Sequence, residues 1–190
     1  MVIPMLIVLL MALLEVALAL NASLAVNRAS QRGAHLASTA GSILGADCLI
    51  LQSIEQDMGD PNSRNNISEV VIERTALAGN FSYAQQSWGR HGTTDCVMPD
   101  GATVTLPYTL DVANYPEAQR CSVLSGCPLL TPARSTVDNI GVSVRYRHDW
   151  VTPLNGALNL LVPGSPPSPG SNSGGWNFEQ RNIFRIEPTL

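Results

Sequence analysis

The chain of 190 residues contains no lysine; all eleven of its basic residues are arginine. Without a side-chain amine it cannot carry a P-loop, a Schiff-base lysine or a lysine isopeptide crosslink. Charged residues of every kind make up only 14% of the chain and the net charge is −4, so no basic surface is offered to nucleic acid. Aromatic residues are scarce at 5%, and the three histidines, His35, His91 and His148, stand far apart. No GxSxG elbow, HExxH helix, GxGxxG turn or Walker sequence is present, so no catalytic residue and no cofactor are expected. A metal site would want paired CxxC-type spacings with a nearby histidine, and His91 five residues before Cys96 has no second pair to match it.

What the chain does have is a run from Met1 to Leu20 that is apolar except for Glu15. At about 1.5 Å of rise per residue, such a helix spans the roughly 30 Å hydrocarbon core of a bilayer. No basic residue precedes the run and it exceeds a usual signal core, so a retained helix is expected over a cleaved signal. Arg28 and Arg32 follow it, and the positive-inside rule alone would leave the bulk of the chain in the cytoplasm. The cysteines and the Ser/Thr/Asn/Gly/Pro-rich character after residue 58 point the other way. A short basic leader upstream of Met1 would reconcile the two, and a head outside the cytoplasm is the expectation.

From Asn21 to Asp57 apolar positions recur at three- and four-residue steps, through Leu24, Val26, Leu36, Ala40, Ile43, Leu44, Cys48, Leu51 and Ile54. This predicts one N-terminal unit over 1–57, transmembrane and then amphipathic. Unbroken, it would be about 85 Å long, and Gly33, Gly41 and Gly45 make a bend as credible as a rod. Gly59 to Ser63 supplies the stop. The remainder, 58–190, predicts a β-rich head: residues 69–75, 102–106, 142–148 and 183–187 are β-branched or alternate apolar with polar, and a Pro/Gly/Ser tract at 163–175 reads as an exposed loop. One wet face and one dry face call for a small antiparallel sheet laid on the amphipathic half of the helix. The expected class is α+β.

Outside the cytoplasm, Cys48, Cys96, Cys121 and Cys127 are candidate disulfide cysteines. Four cysteines allow three connectivities and spacing does not choose among them: Cys121 and Cys127 can close a short loop, or one of them meets Cys96, with Cys48 free or stapling the helix to the head. Asp95 and His91 beside Cys96 imitate a thiol nucleophile site, but a disulfided cysteine in a polar loop is the plainer reading. Glu15 is the sharper residue, because an ionised carboxylate in lipid costs several kcal/mol unless it is paired or protonated. Either it reaches interfacial water at the outer end of the span, or it meets a partner in the membrane or in an assembled helical core.

The stretch Val2-Ile3-Pro4 through Leu14-Glu15 resembles the apolar segment of TadE-like proteins, minor pilins of the tight-adherence branch of the type IV pilus machinery. There a Pro falls early in the run and an acidic residue lies toward its end. Residues 142–146 leading to Trp150-Val151-Thr152-Pro153-Leu154, and the ending Asn182 to Pro188, look like the corresponding parts of that family. The basic leader and peptidase-processed Gly usual there, with a Glu shortly after the cut, are not within this chain, so Glu15 is not equated with that Glu. The resemblance implies a structural, non-enzymatic pilin-like subunit that builds or caps a filament and supports adhesion. Its partners would be other pilin subunits or assembly proteins, in homo- or hetero-oligomers, with Pro4, Glu15, Leu36, Ile43 and Leu44 on the membrane and filament-core helix. The alternative is a membrane-anchored extracytoplasmic ligand-binding domain that never polymerises. A filament subunit buries Leu36, Ile43 and Leu44 against its neighbours, whereas a receptor buries them only against its own head.

Overall fold

The computed structural model describes residues 2–59, 61–75, 82–121, 137–149, 151 and 175–186. Helix α1 covers Val2–Ala40, and helix α2 covers Ala46–Asp57. The bend wins over the rod. Gly41 and Gly45 both adopt positive φ, at 55° and 84°, which a side chain resists and glycine accepts. At Gly45 a Cβ would also fall 2.3 Å from the carbonyl oxygen of Val97.

After this break α2 doubles back along α1. Arg32 reaches Asp57 at 2.7 Å, and a Cβ on Gly33 would lie 3.2 Å from Ile54 Cδ1. An early residue of the pair thus meets a late one, the signature of an antiparallel helical hairpin. The 85 Å stalk expected from an unbroken helix is replaced by one helix of 39 residues, about 58 Å long, with a shorter one folded against its far end.

A short helix α3, Pro61–Asn65, leads into the sheet. Its strands are β1 (Ile67–Thr75), β2 (Ser82–Gly89), β5 (Thr109–Ala113), β6 (Asn139–Asp149) and β7 (Gly175–Arg185), ordered β5-β2-β1-β6-β7 with every pair antiparallel. A separate hairpin joins β3 (Thr94–Val97) to β4 (Thr103–Leu106). The fold is therefore α+β: a long N-terminal apolar helix packed on a small antiparallel sheet.

The pleat sorts the residues by face. Opposed pairs such as Ile72 with Val142 and Val70 with Val144 point to one side, where they meet Val26, Ala29, Ala34 and Ala37 of α1 and Ile50, Leu51 and Ile54 of α2 in a single core. The intervening residues form a charged ladder on the other side: Arg145 pairs with Glu69 and, at 3.4 Å, with Glu179, and Arg181 pairs with Glu73. Part of this face is wet, as alternation implies: Arg145 and Glu179 are exposed, whereas Val71, Glu73 and Ser143 on the same side are buried.

The sheet lies along α1 lengthwise. Ser30 on α1 donates to the carbonyl of Val142 at 2.7 Å, while Glu15 meets His148. Fifteen helical residues, about 22 Å, thus match six strand residues, about 20 Å, so β6 runs down the helix toward its N-terminal half. The stripe that receives it is made of small residues: Ala19, Ala29, Ser30, Gly33, Ala34 and Ala37 are buried, whereas Leu24 is exposed. Small side chains let the backbone of β6 approach within hydrogen-bond reach of Ser30.

Sequence expectation and strand agree in place for β1, β4 and β6, while β7 starts eight residues before the expected 183–187 and shares 183–185 with it. β2, β3 and β5 were not anticipated, because runs such as Gln85-Gln86-Ser87 carry neither β-branched residues nor alternation. Of the Pro/Gly/Ser tract, only Gly175 falls among the described residues, as the first residue of β7.

Candidate functional site

Glu15 is the one carboxylate of the apolar run, and its side chain is 1% exposed although the residues before it are open on every described side. What buries it is the chain's own head. His148 Nε2, near the end of β6, lies 3.2 Å from Glu15 Oε1, and the backbone N–H of Val151 donates to the same oxygen at 3.1 Å. The imidazole is 9% exposed. With the ring neutral, Nε2–H donates a hydrogen bond; with the ring protonated, the contact is an ion pair. Either state lowers the cost of burying a carboxylate beside an apolar run, where an unpaired charge is expensive. The partners of Glu15 here include a side chain and an amide of its own head, which neither expectation named. Their separation of 133 residues left no signal in the sequence.

The other expected helix residues divide. Pro4 lies in the first turns of α1. Leu36 is half-buried against the core, but Ile43 and Leu44, at the turn between α1 and α2, are 54% and 79% exposed. The head leaves these two aliphatic side chains uncovered.

Cys48 on α2 is bonded to Cys96 on β3, with Cα atoms 5.5 Å apart. That bond staples the helical hairpin to the head and takes Cys96 out of any thiol chemistry. Cys121 is disulfide-bonded as well, and Cys127 lies outside the described residues. His91, Asp95 and His148 are not brought together: His91 pairs with Asp111 at 3.1 Å, Asp95 accepts from Thr105 at 2.7 Å, and His148 is at Glu15.

A cleft of about 410 Å³ opens between the start of α2 and β3, lined by Leu44, Cys48, Trp88, Cys96, Val97 and Glu117 among others. Three of its lining residues, Asp47, Gln86 and Glu117, belong to a polar cluster that sequence reading missed. Glu117 caps α2, its carboxylate accepting from the backbone N–H groups of Gly45 at 2.8 Å and Asp47 at 2.6 Å. Asp47 pairs with the fully buried Arg120 and accepts from Gln86 at 2.5 Å. Burial pushes the Asp47 carboxyl above the usual range, and the Arg120 guanidinium pulls against it. Two further buried sets hold the head together. The Glu55 carboxylate takes Arg90 and the Tyr108 hydroxyl, the latter at 2.6 Å. Asp138 takes the Tyr115 hydroxyl at 3.0 Å and the backbone N–H of Cys121 at 3.0 Å. Burial, with the neighbouring carboxylates adding to it, raises both tyrosine hydroxyls well above ordinary tyrosine, so both remain donors. Each carboxylate in these sets has a partner, while Nε and Nη1 of the buried Arg120 and Oε1 of Gln86 have none among the described residues.

Among the described residues no group of three or more His, Cys, Asp or Glu side chains is arranged to hold a metal ion. α1 is, among the described residues, the helix long and apolar enough to cross a membrane. No protein-family model, curated protein or solved structure matches this chain.

Proposed function

We propose that the protein is a structural, non-enzymatic pilin-like subunit or assembly component of a tight-adherence, type IV-like pilus, held by α1 in the cytoplasmic membrane with its head outside the cytoplasm. The observation that carries this reading is the aliphatic surface the head leaves open: Leu6, Leu9, Leu10, Leu13 and Leu14 along the first part of α1, and Ile43 and Leu44 at its far end. A lone anchored domain has reason to expose the first group to lipid. It has little reason to expose the second, which sits about 40 Å away along the helix and costs apolar surface in water. A subunit whose helix packs among neighbours after leaving the lipid uses both. The Cys48–Cys96 bond supports placement of the head in an oxidising compartment.

The cleft beside Leu44 favours the second reading, an anchored extracytoplasmic domain that binds a ligand and does not polymerise. A photocrosslinking residue at position 44, in cells that assemble such pili, separates the two. Crosslinks to another pilin subunit, together with the protein in the sheared filament fraction, are expected. Retention in the membrane with only intramolecular products would overturn the filament reading and leave the anchored domain.

A further inference from the structure

The rim of the head that covers Glu15 lies at a depth where the outer side of α1 is still dressed for lipid. Beyond Glu15 the helix exposes Val16, Leu18, Leu20 and Leu24, and the first charged residue after Glu15 is Arg28. Even with the water boundary set as low as Asn21, the only fully polar exposed position before Leu24, Glu15 lies six residues, about 9 Å, beneath it. His148 and Val151 touch Glu15 and share its level, and Trp176 is paired with His148 across β6 and β7. A flat membrane that accommodates the helix therefore meets this edge of the sheet.

The composition of the edge suits that meeting. Val151 is 70% exposed and Trp176 41% exposed, with Trp176 edge-on to Phe178, which in turn stacks on Tyr146. An indole with an apolar body and one polar N–H is the side chain enriched where hydrocarbon gives way to headgroups. The polar pair Glu15 and His148 is buried next to these residues. The charged residues of the adjoining outer face are already matched, Arg147 with Asp149 at 3.0 Å and Arg145 with Glu69 and Glu179. No surplus of positive charge is left there to seek anionic lipid.

We infer that the head is a second membrane-contacting element: the β6–β7 edge, through Val151 and Trp176, inserts into the interfacial zone of the bilayer beside α1 and shields the Glu15–His148 contact from lipid. This rests on the reading of α1 as a membrane span. It makes the helix and head one body at the membrane surface, with the tilt of the head set by the depth of the sheet edge. The contact is apolar and independent of lipid charge.

The test uses the full chain in phosphatidylcholine vesicles, with an environment-sensitive fluorophore on a single added cysteine in Trp176→Cys, Val151→Cys, Leu9→Cys or Leu110→Cys, and a lipid carrying a nitroxide quencher close to the headgroup or deep in the acyl chain. Labels at 176 and 151 are expected to emit at shorter wavelength than the label at 110 and to lose emission to the shallow quencher. The label at 110, on β5, is expected to lose none, and the label at 9 to be quenched by the deep probe. Raising the salt or adding anionic lipid should leave all four unchanged. Quenching at 9 without quenching at 176 and 151 would overturn the proposal and leave the membrane span standing. No quenching at 9 would overturn the span, and the proposal with it. Quenching at 176 and 151 only with anionic lipid would replace apolar insertion by charge attraction and also overturn it. Val151 is the more exposed of the two, so its variant guards against a fold defect at 176.

Discussion

The two halves of α1, the first apolar and the second amphipathic, treat their side chains in opposite ways. Residues 5–14 turn Leu, Ile, Val and Met outward on every described side; from Ala19 to Ala40 the buried side chains are Ala, Ser and Gly, with Val26 the one larger member. Large aliphatic side chains mark the surface the chain leaves open. Smallness marks the surface the chain keeps for its own sheet, because only small residues let β6 come close enough to bond Ser30. Glu15 sits where one regime passes into the other.

If that division is right, damage to the head and damage to the first half of α1 should be separable. The largest effect on the head is expected from Cys48→Ala with Cys96→Ala. Their bond closes a separation of 48 residues, and its loss should lower head stability by about 4 kcal/mol in the chain-entropy account, read as a fall in the urea midpoint with membrane retention unchanged. Next comes Gly33→Leu, where Ile54 and Val142 leave no room for a branched side chain. Overpacking there should cost about 1–3 kcal/mol, whereas Leu9→Ala in the open half should leave the midpoint unmoved. Smaller still is His148→Ala, which removes one partner of a buried carboxylate and should cost about 1–2 kcal/mol. Glu15→Gln should cost less, since the amide oxygen can still accept from Val151 N–H. If it instead unfolds the head, Glu15 belongs to the core and not to its boundary.

How much of this is legible in the sequence follows the range of the interactions. The span and four strands show because period and composition are local signals. The helical hairpin does not, because its helix periodicity continues through Ile43 and Leu44 and only Gly41 and Gly45 hint at the turn. The capping of α2 by Glu117 joins residues about 70 apart, and the cover over Glu15 joins residues more than 130 apart. Neither leaves a pattern in one sequence. Of the periodic apolar positions, Val26, Ala40, Leu51 and Ile54 enter the chain's own core, whereas Leu24, Ile43 and Leu44 stay exposed, a division that periodicity does not draw.

The central claim is that Glu15 is met by its own head, and thiol crosslinking tests it most directly. Glu15→Cys and His148→Cys are placed in the same chain and treated in the native membrane with a short bifunctional thiol reagent that replaces the reach of the two side chains, and the products are resolved by mass spectrometry. An intramolecular 15–148 crosslink in a single chain is expected. A crosslink only between chains, or none while both thiols take a monofunctional label and Cys48 and Cys96 remain joined, would contradict it.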